Sequence, residues 1–301
     1  MATIINDLRE LFRRGDIHIR LIFVNTFIFL AITLVQIALM LFRINIGEWL
    51  RWVELPASVS QFLNQPWSIV TYMFMHAGVM HLLFNMLWLY WFGQLFLYFF
   101  TSRHLRGVYL WSGICGGLLY MLFFNLFPYF ENAVDYTYMV GASASVLGVV
   151  AAVAYREPNY RVNLLFLGSL PLKYFALVVI GLDLLFVTTD NAGGHIAHIG
   201  GALVGLLFAY LLNKGTDLTR FINQAVDWLV GLFSFQPKHR EPKMKINYGG
   251  GTCQESSQQQ DEQKDTSRQE RIEEIRQKIK QSGYQGLTEE EKKELFNASI
   301  R

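Results

Sequence analysis

Residues 141–154 read GASASVLGVVAAVA, an uncharged run made almost entirely of small residues. With Tyr155 it would form a helix of about 22 Å, whereas the hydrocarbon core of a bilayer is about 30 Å thick. A helix this short either thins the bilayer or begins below its surface. We favour the second arrangement, because irregular backbone at that depth is tolerated next to protein or water. The run therefore predicts a short central helix that packs against neighbours on every side.

Longer apolar segments lie on both sides of this run. The chain is 52% hydrophobic and only 17% charged, which is too apolar for a soluble protein of 301 residues. Runs of about 16–22 apolar residues have the length of membrane spans. They occur at 21–42, 79–100, 108–128, 172–187 and 195–213. Together with the short run they predict an all-α, polytopic membrane protein with six spans.

A change of composition divides the chain. After Asn213 the sequence becomes rich in Gln, Glu, Lys, Arg and Ser. We therefore predict a cytoplasmic N-terminal segment (1–14), a membrane domain (15–213), an amphipathic stretch with a disordered linker (214–268) and a small cytoplasmic helical region (269–301). The helical region has too few apolar residues for a stable core of its own, so we expect a cytoplasmic partner or docking on the membrane domain.

The basic residues predict the orientation of the membrane domain. Lysine and arginine are concentrated in the loops on the cytoplasmic side of a membrane protein. The loops on one side of the predicted spans hold only Arg43 and Arg51, whereas those on the other side hold most of the rest. Both termini are therefore predicted to be cytoplasmic, in a multi-pass protein of the cell membrane, and no cleavable signal peptide is visible.

Four polar side chains lie near the starts of alternate spans. His81 and Asn85 open the second span, Ser143 opens the fourth and His198 opens the sixth. Alternate spans run in the same direction, so these residues should share one depth below the outer surface. Ionisable residues within membrane segments are costly and usually functional. The pattern predicts that the four side chains form one site.

A stripe on the sixth span supports this convergence. His198, Gly201 and Gly205 lie on one helical face, and the two glycines form a small-xxx-small pair. Such pairs let two helix backbones approach closely. We therefore expect His198 to face the fourth span and Ser143.

These residue types suit hydrolysis of a peptide bond. A serine hydroxyl is a poor nucleophile until a base removes its proton, and histidine can do this near neutral pH. An oxyanion then needs hydrogen-bond donors. The unpaired N–H groups at a helix start can supply them, and so can the side chains of His81 and Asn85. Ser143 and His198 are thus the candidate catalytic pair.

No carboxylate is predicted to join this pair. Asp183 and Asp190 lie in or after the fifth span, and neither is placed by the sequence to orient His198, so we expect a Ser–His dyad. A zinc-protease pattern would need a glutamate beside the first histidine, whereas leucines follow His81. With no carboxylate expected nearby, a metal site is disfavoured.

Three motifs resemble those of the rhomboid intramembrane serine proteases. HAGVMHLLFNM at 76–86 resembles the family's histidine-and-asparagine motif, GASA at 141–144 its Gly-x-Ser-Gly motif, and AHIGGALVG at 197–205 its Ala-His motif. They occur in this order on alternate predicted spans, and the resemblance extends over nearly all of residues 15–213. It implies a six-helix rhomboid-like bundle with a short fourth helix.

The resemblance also implies roles. Ser143 would be the nucleophile, His198 the base, and His81 and Asn85 the oxyanion donors. The implied reaction is cleavage of other proteins' transmembrane segments near their outer ends, without metal or cofactor, and no nucleic-acid partner is expected. Residues 44–67 would correspond to the family's membrane-embedded first loop.

The sequence departs from the family pattern at three positions. Ala144 replaces a glycine after the serine, Leu147 stands where many members have an aromatic ring, and Ser68 stands where many have arginine. The alternative to a protease is a catalytically inactive rhomboid-like protein that binds client helices. A transporter would be expected to show repeat symmetry between its halves, and the sequence has no such repeat.

Overall fold

The computed structural model describes residues 9–12, 15–44, 47–164 and 168–233, together with positions 6, 275, 278 and 288. The chain divides into two compact units, Met1–Gln236 and Pro237–Arg301. The predicted tail helices within 269–301 and the predicted linker after residue 236 lie outside the described residues, apart from those three tail positions. The predicted membrane domain (15–213) falls within the first unit.

Seven helices longer than ten residues are found among the described residues. They are α1 (Ile17–Leu41), α2 (Val79–Phe99), α3 (Ser102–Leu126), α4 (Ser143–Arg156), α5 (Leu172–Leu185), α6 (Ala192–Asn213) and α7 (Arg220–Phe233). By length and composition, α1, α2, α3 and α6 can cross a membrane. The all-α polytopic architecture is thus confirmed. Because α4 and α5 have only 14 residues each, the count of six spans remains a prediction.

Helix α4 is the short central helix predicted from its small residues. Its residues from Ala144 to Ala154 are all buried, and it packs against α2, α3, α5 and α6. The closest approach is to α6, where Gly201 lies against the Ala144 carbonyl and Gly205 against the Gly148 carbonyl. A Cβ at either α6 position would overlap those carbonyl oxygens. The small residues therefore bring the first turns of α4 and α6 side by side.

Helix α3 accommodates the alanine that follows Ser143. A Cβ built on Gly116 would lie 2.9 Å from the Ala144 methyl carbon, which is closer than real Cβ atoms approach. The methyl group of Ala144 therefore occupies space that the bare Gly116 backbone leaves open. This packing explains how α4 keeps its central position with alanine at 144.

Two short antiparallel strand pairs accompany the helices. Strand β1 (Leu55–Pro56) pairs with β2 (Tyr138–Met139), and β3 (Arg161–Leu164) pairs with β4 (Gly168–Pro171). The sequence did not predict them, because strands of two to four residues are too short to show an alternating pattern. The first pair matters for the site, since β2 leads directly into the loop before α4.

The segment between α1 and α2 folds through short helical turns and hydrogen bonds. The Trp67 indole N–H donates to the Trp52 carbonyl at 2.7 Å, and the two rings stack. The Thr71 hydroxyl donates to the Val53 carbonyl, also at 2.7 Å. Trp49, Trp52 and Trp67 remain about half or more exposed. An ordered loop with exposed tryptophans suits a bilayer interface.

The helix ends opposite Ser143 carry a cluster of polar contacts. Arg156, the last residue of α4, donates to Asn213 at the end of α6 at 2.9 Å. Arg103 and Arg106, in the first turns of α3, form ion pairs with Asp227 of α7. Helix α7, which lies within the predicted amphipathic stretch, is thereby attached at this end. The basic end and the Ser143 end of the bundle are therefore distinct.

Candidate active site

Ser143 is the first residue of α4, and the loop before it is fixed by Gly141. Gly141 has a φ of +132°, a conformation that residues with a Cβ rarely adopt. Its N–H donates to the Tyr72 carbonyl at 3.0 Å. A Cβ there would lie 2.8 Å from the His81 ring and 3.6 Å from the Ser143 hydroxyl oxygen. The backbone at Gly141 thus lies between the imidazole of His81 and the hydroxyl of Ser143.

A cavity of about 390 Å³ lies beside the start of α4. Ser143, Asn85 and His198 line it, together with Asp183 and His195. Its other walls are apolar and comprise Phe84, Trp88, Leu147, Val179, Leu182 and Phe186. The structure therefore brings three of the four predicted residues to one cavity, with the fourth, His81, adjoining Gly141. No hydrogen bond joins Ser143 to His198 in this described part of the chain.

Asn85 has one amide N–H already engaged. Its Nδ2 donates to the His81 carbonyl, one turn earlier in α2, at 2.8 Å, and the residue is buried. A side-chain amide has two N–H donors. The second N–H is therefore available to a group inside the cavity.

A backbone N–H just before α2 holds His81 in one tautomer. The Ala77 N–H donates to His81 Nδ1 at 3.4 Å, so Nδ1 is the acceptor and Nε2 carries the proton. Nε2 is one of the two ring atoms that face Gly141. His76 packs edge-on against this ring at 5.2 Å between centroids. Burial, with a smaller contribution from His81, lowers the pKa of His76 to about 4, so its ring is neutral at pH 7.

Asp183 is the site residue that the sequence analysis missed. It lies near the end of α5, is only 5% exposed, and its Oδ1 accepts hydrogen bonds from Nδ1 of His195 and Nδ1 of His198, each at 2.8 Å. The prediction that no carboxylate is placed to orient His198 is therefore wrong. The rotation of α5 about its axis, which decides where Asp183 points, cannot be read from a uniformly apolar segment.

The sequence nevertheless contains an indication that Asp183 is a functional residue. The loop between α5 and α6 is short, so the last turn of one helix and the first turns of the other lie level with each other. An acidic residue within an apolar segment is by default a functional candidate. His195 lies in the first turn of α6 with its ring against Phe186.

The same three side chains form a cluster of potential metal ligands. The ligand atoms of Asp183, His195 and His198 lie within 4.8 Å of one another. The premise that no carboxylate lies near the histidines is therefore wrong. The predicted absence of a metal cofactor stays a prediction.

Known proteins resemble this chain over about half of its length. Residues 63–215 match the Rhomboid domain. RHOMBOID-like protein 7 of Arabidopsis thaliana is 32% identical over 158 residues, which cover 50% of this chain and 44% of that protein. The rhomboid protease GlpG of Haemophilus influenzae is 26% identical over 154 residues, covering 50% of this chain and 72% of that protein.

A second GlpG, from Yersinia pseudotuberculosis, is 28% identical over 165 residues, covering 54% of this chain and 52% of that protein. The chain thus spans about half the length of most curated relatives it matches. Residues 63–215, which match the Rhomboid domain, contain α2 to α6 and every residue that lines the cavity. Because the family domain covers half of the sequence, the chain belongs to the rhomboid family.

Proposed function

We propose that this protein is an intramembrane serine endopeptidase that hydrolyses peptide bonds in or near the transmembrane segments of other proteins. The observation that carries the proposal is that Ser143 and His198 line a single cavity inside a bundle of apolar helices. Two relatives named rhomboid protease support the same reaction. The apolar cavity walls suit the side chains of a membrane-spanning substrate.

The reaction begins at Ser143. Nε2 of His198 accepts the proton of the Ser143 hydroxyl as Oγ attacks the carbonyl carbon of the scissile peptide bond. The negative charge then lies on the former carbonyl oxygen. Donors for this oxyanion are the free N–H groups at the start of α4, Nε2–H of His81 and the second amide N–H of Asn85.

The second half of the reaction restores the serine. The tetrahedral intermediate collapses, the C–N bond breaks, and the imidazolium of His198 gives its proton to the departing amine. Water then attacks the acyl-enzyme ester, with His198 again accepting a proton. The Ser143 ester bond breaks, the serine recovers its proton from His198, and the new carboxyl end of the substrate is released.

A fluorophosphonate probe tests the proposal directly. The purified protein in detergent, or in liposomes, is expected to be labelled on the peptide that contains Ser143, and heat-denatured protein is expected to remain unlabelled. In parallel, wild-type protein is expected to cut a single-span model substrate into two fragments. A folded sample that neither labels nor cleaves would overturn the proposal and favour the inactive binder of client helices.

We further propose that both termini are cytoplasmic in a cell membrane, with the Ser143 end facing outward. The basic cluster around Arg103, Arg106 and Arg156 lies at the other end of the bundle, as expected for the cytoplasmic side. In a background lacking native cysteines, Tyr136→Cys should react with an impermeant maleimide on intact bacterial cells. Lys214→Cys should react only after permeabilisation, and the reverse pattern would contradict this orientation.

A further inference from the structure

We propose that Asp183 is a positioning residue for His198, so that the site operates as a Ser143–His198–Asp183 triad with His195 as a second support for the carboxylate. This inference rests on the proposed function. It differs from the dyad expected from the sequence because it assigns a role in the reaction rate to α5.

The hydrogen bond to Asp183 fixes the tautomer of His198. An ionised carboxylate can only accept hydrogen bonds, so the 2.8 Å contact with Nδ1 requires a proton on that nitrogen. In the neutral ring the proton is then absent from Nε2. Nε2 is therefore left with the lone pair that the Ser143 proton needs. In the opposite tautomer Nε2 would carry a proton and could not accept the one from Ser143.

The same carboxylate stabilises the ring once it is charged. When His198 takes the serine proton it becomes an imidazolium beside a carboxylate that is almost fully shielded from water. Charge interactions are stronger in such surroundings than in bulk water. Residue 147 is a leucine, so it adds an aliphatic side chain to the cavity wall and no aromatic ring. Asp183 thus supplies both orientation and charge compensation.

His195 provides a second hydrogen bond to the buried Asp183 carboxylate. A buried carboxylate is strongly unfavourable unless it is paired or hydrogen-bonded. Two N–H groups, from His195 and His198, converge on Oδ1 at the same 2.8 Å distance. Within the described residues Oδ2 has no partner, so these two donors are the support that the structure provides. Loss of His195 would leave His198 as the one hydrogen-bond donor to this buried carboxylate among the described residues.

A purely structural role for Asp183, fastening α5 to α6, predicts a different outcome. It predicts that removal of the carboxylate lowers thermal stability and leaves the turnover of the folded enzyme unchanged. The positioning role predicts a loss in kcat, because orientation and charge compensation matter in the transition state. KM should stay nearly constant, since the Asp183 oxygen that carries the proposed role is engaged by His195 and His198 and not by the substrate.

The test compares Asp183→Asn with Asp190→Asn, the same change at an exposed aspartate in the loop after α5. In liposomes, with a single-span substrate, Asp183→Asn is expected to lower kcat about 100-fold or more and to change KM less than threefold. Asp190→Asn is expected to match wild type in both. A folded Asp183→Asn variant with kcat within threefold of wild type would overturn the inference.

A measurement on the wild-type protein covers the case in which Asp183→Asn does not fold. In ¹⁵N-histidine spectra, assigned with His198→Ala, the neutral ring of His198 should show a proton on Nδ1 and none on Nε2. A proton on Nε2 would overturn the inference. Wild-type protein that neither labels nor cleaves would instead mark failure of the proposed function, whereas an active wild type with an equally active Asp183→Asn variant would mark failure of the triad alone.

Discussion

Replacing Ser143 with alanine is expected to lower kcat for a single-span substrate by at least about 10³-fold. Without Oγ no acyl-enzyme can form, so the reaction loses the step that His198 activates. The cavity itself keeps its shape, because the substitution only removes Oγ and the alanine Cβ takes the position of the serine Cβ. KM is therefore expected to remain within about threefold of the wild-type value. Steady-state cleavage in liposomes checks both constants.

Ser145 provides a matched control for this substitution. It lies two residues further along α4, is fully buried, and its hydroxyl has no hydrogen-bond partner in the described part of the chain. Ser145→Ala removes the same atom from a position that does not line the cavity, so kcat should stay within about twofold. Substantial cleavage by Ser143→Ala would refute the serine mechanism.

The two members of the proposed catalytic pair should also behave as one unit. His198→Ala is expected to reduce kcat about as strongly as Ser143→Ala. The double variant should lose little more than either single variant, because residues of one catalytic step are not additive. Multiplied losses in the double variant would show that Ser143 and His198 act independently.

The convergence of Ser143 and His198 could be predicted because it depends on the direction of the helices and not on fine geometry. Spans that alternate in direction put the starts of the second, fourth and sixth at one level. The stripe of Gly201 and Gly205 then specified which face of the sixth span meets the fourth. These are coarse constraints that a sequence records directly as spacing and side-chain size.

Asp183 could not be placed on the same basis. Between Phe175 and Leu185, α5 is apolar on every side apart from Asp183 and has no glycine stripe to indicate its contact face, so its rotation is set only by packing in three dimensions. The pairing of β1 with β2, which delivers the chain to Gly141, was equally hidden, because two residues per strand leave no period to detect. What the sequence lacked in both cases was a repeating pattern.

A second large effect is expected where α4 and α6 approach most closely. Gly201→Ala should lower the free energy of unfolding by about 3 kcal/mol and abolish most cleavage. The new Cβ would overlap the carbonyl oxygen of Ala144, and a backbone atom cannot rotate away as a flexible side chain can. Helix α6 must then move off α4, and His198 moves with it, away from Ser143. Thermal unfolding in detergent and fluorophosphonate labelling measure the two consequences.

Gly181→Ala separates this steric effect from the general consequence of putting alanine in a helix. Gly181 lies within α5, and a Cβ there would meet nothing within 4 Å. In a helix interior, alanine is favoured over glycine by up to about 1 kcal/mol, so Gly181→Ala should unfold at or slightly above the wild-type temperature. Gly201→Ala carries the same helix preference, and its loss of stability must therefore come from the contact with Ala144. If both variants proved equally stable, the close approach of α4 and α6 would be disproved, and with it the juxtaposition on which the proposed catalytic pair depends.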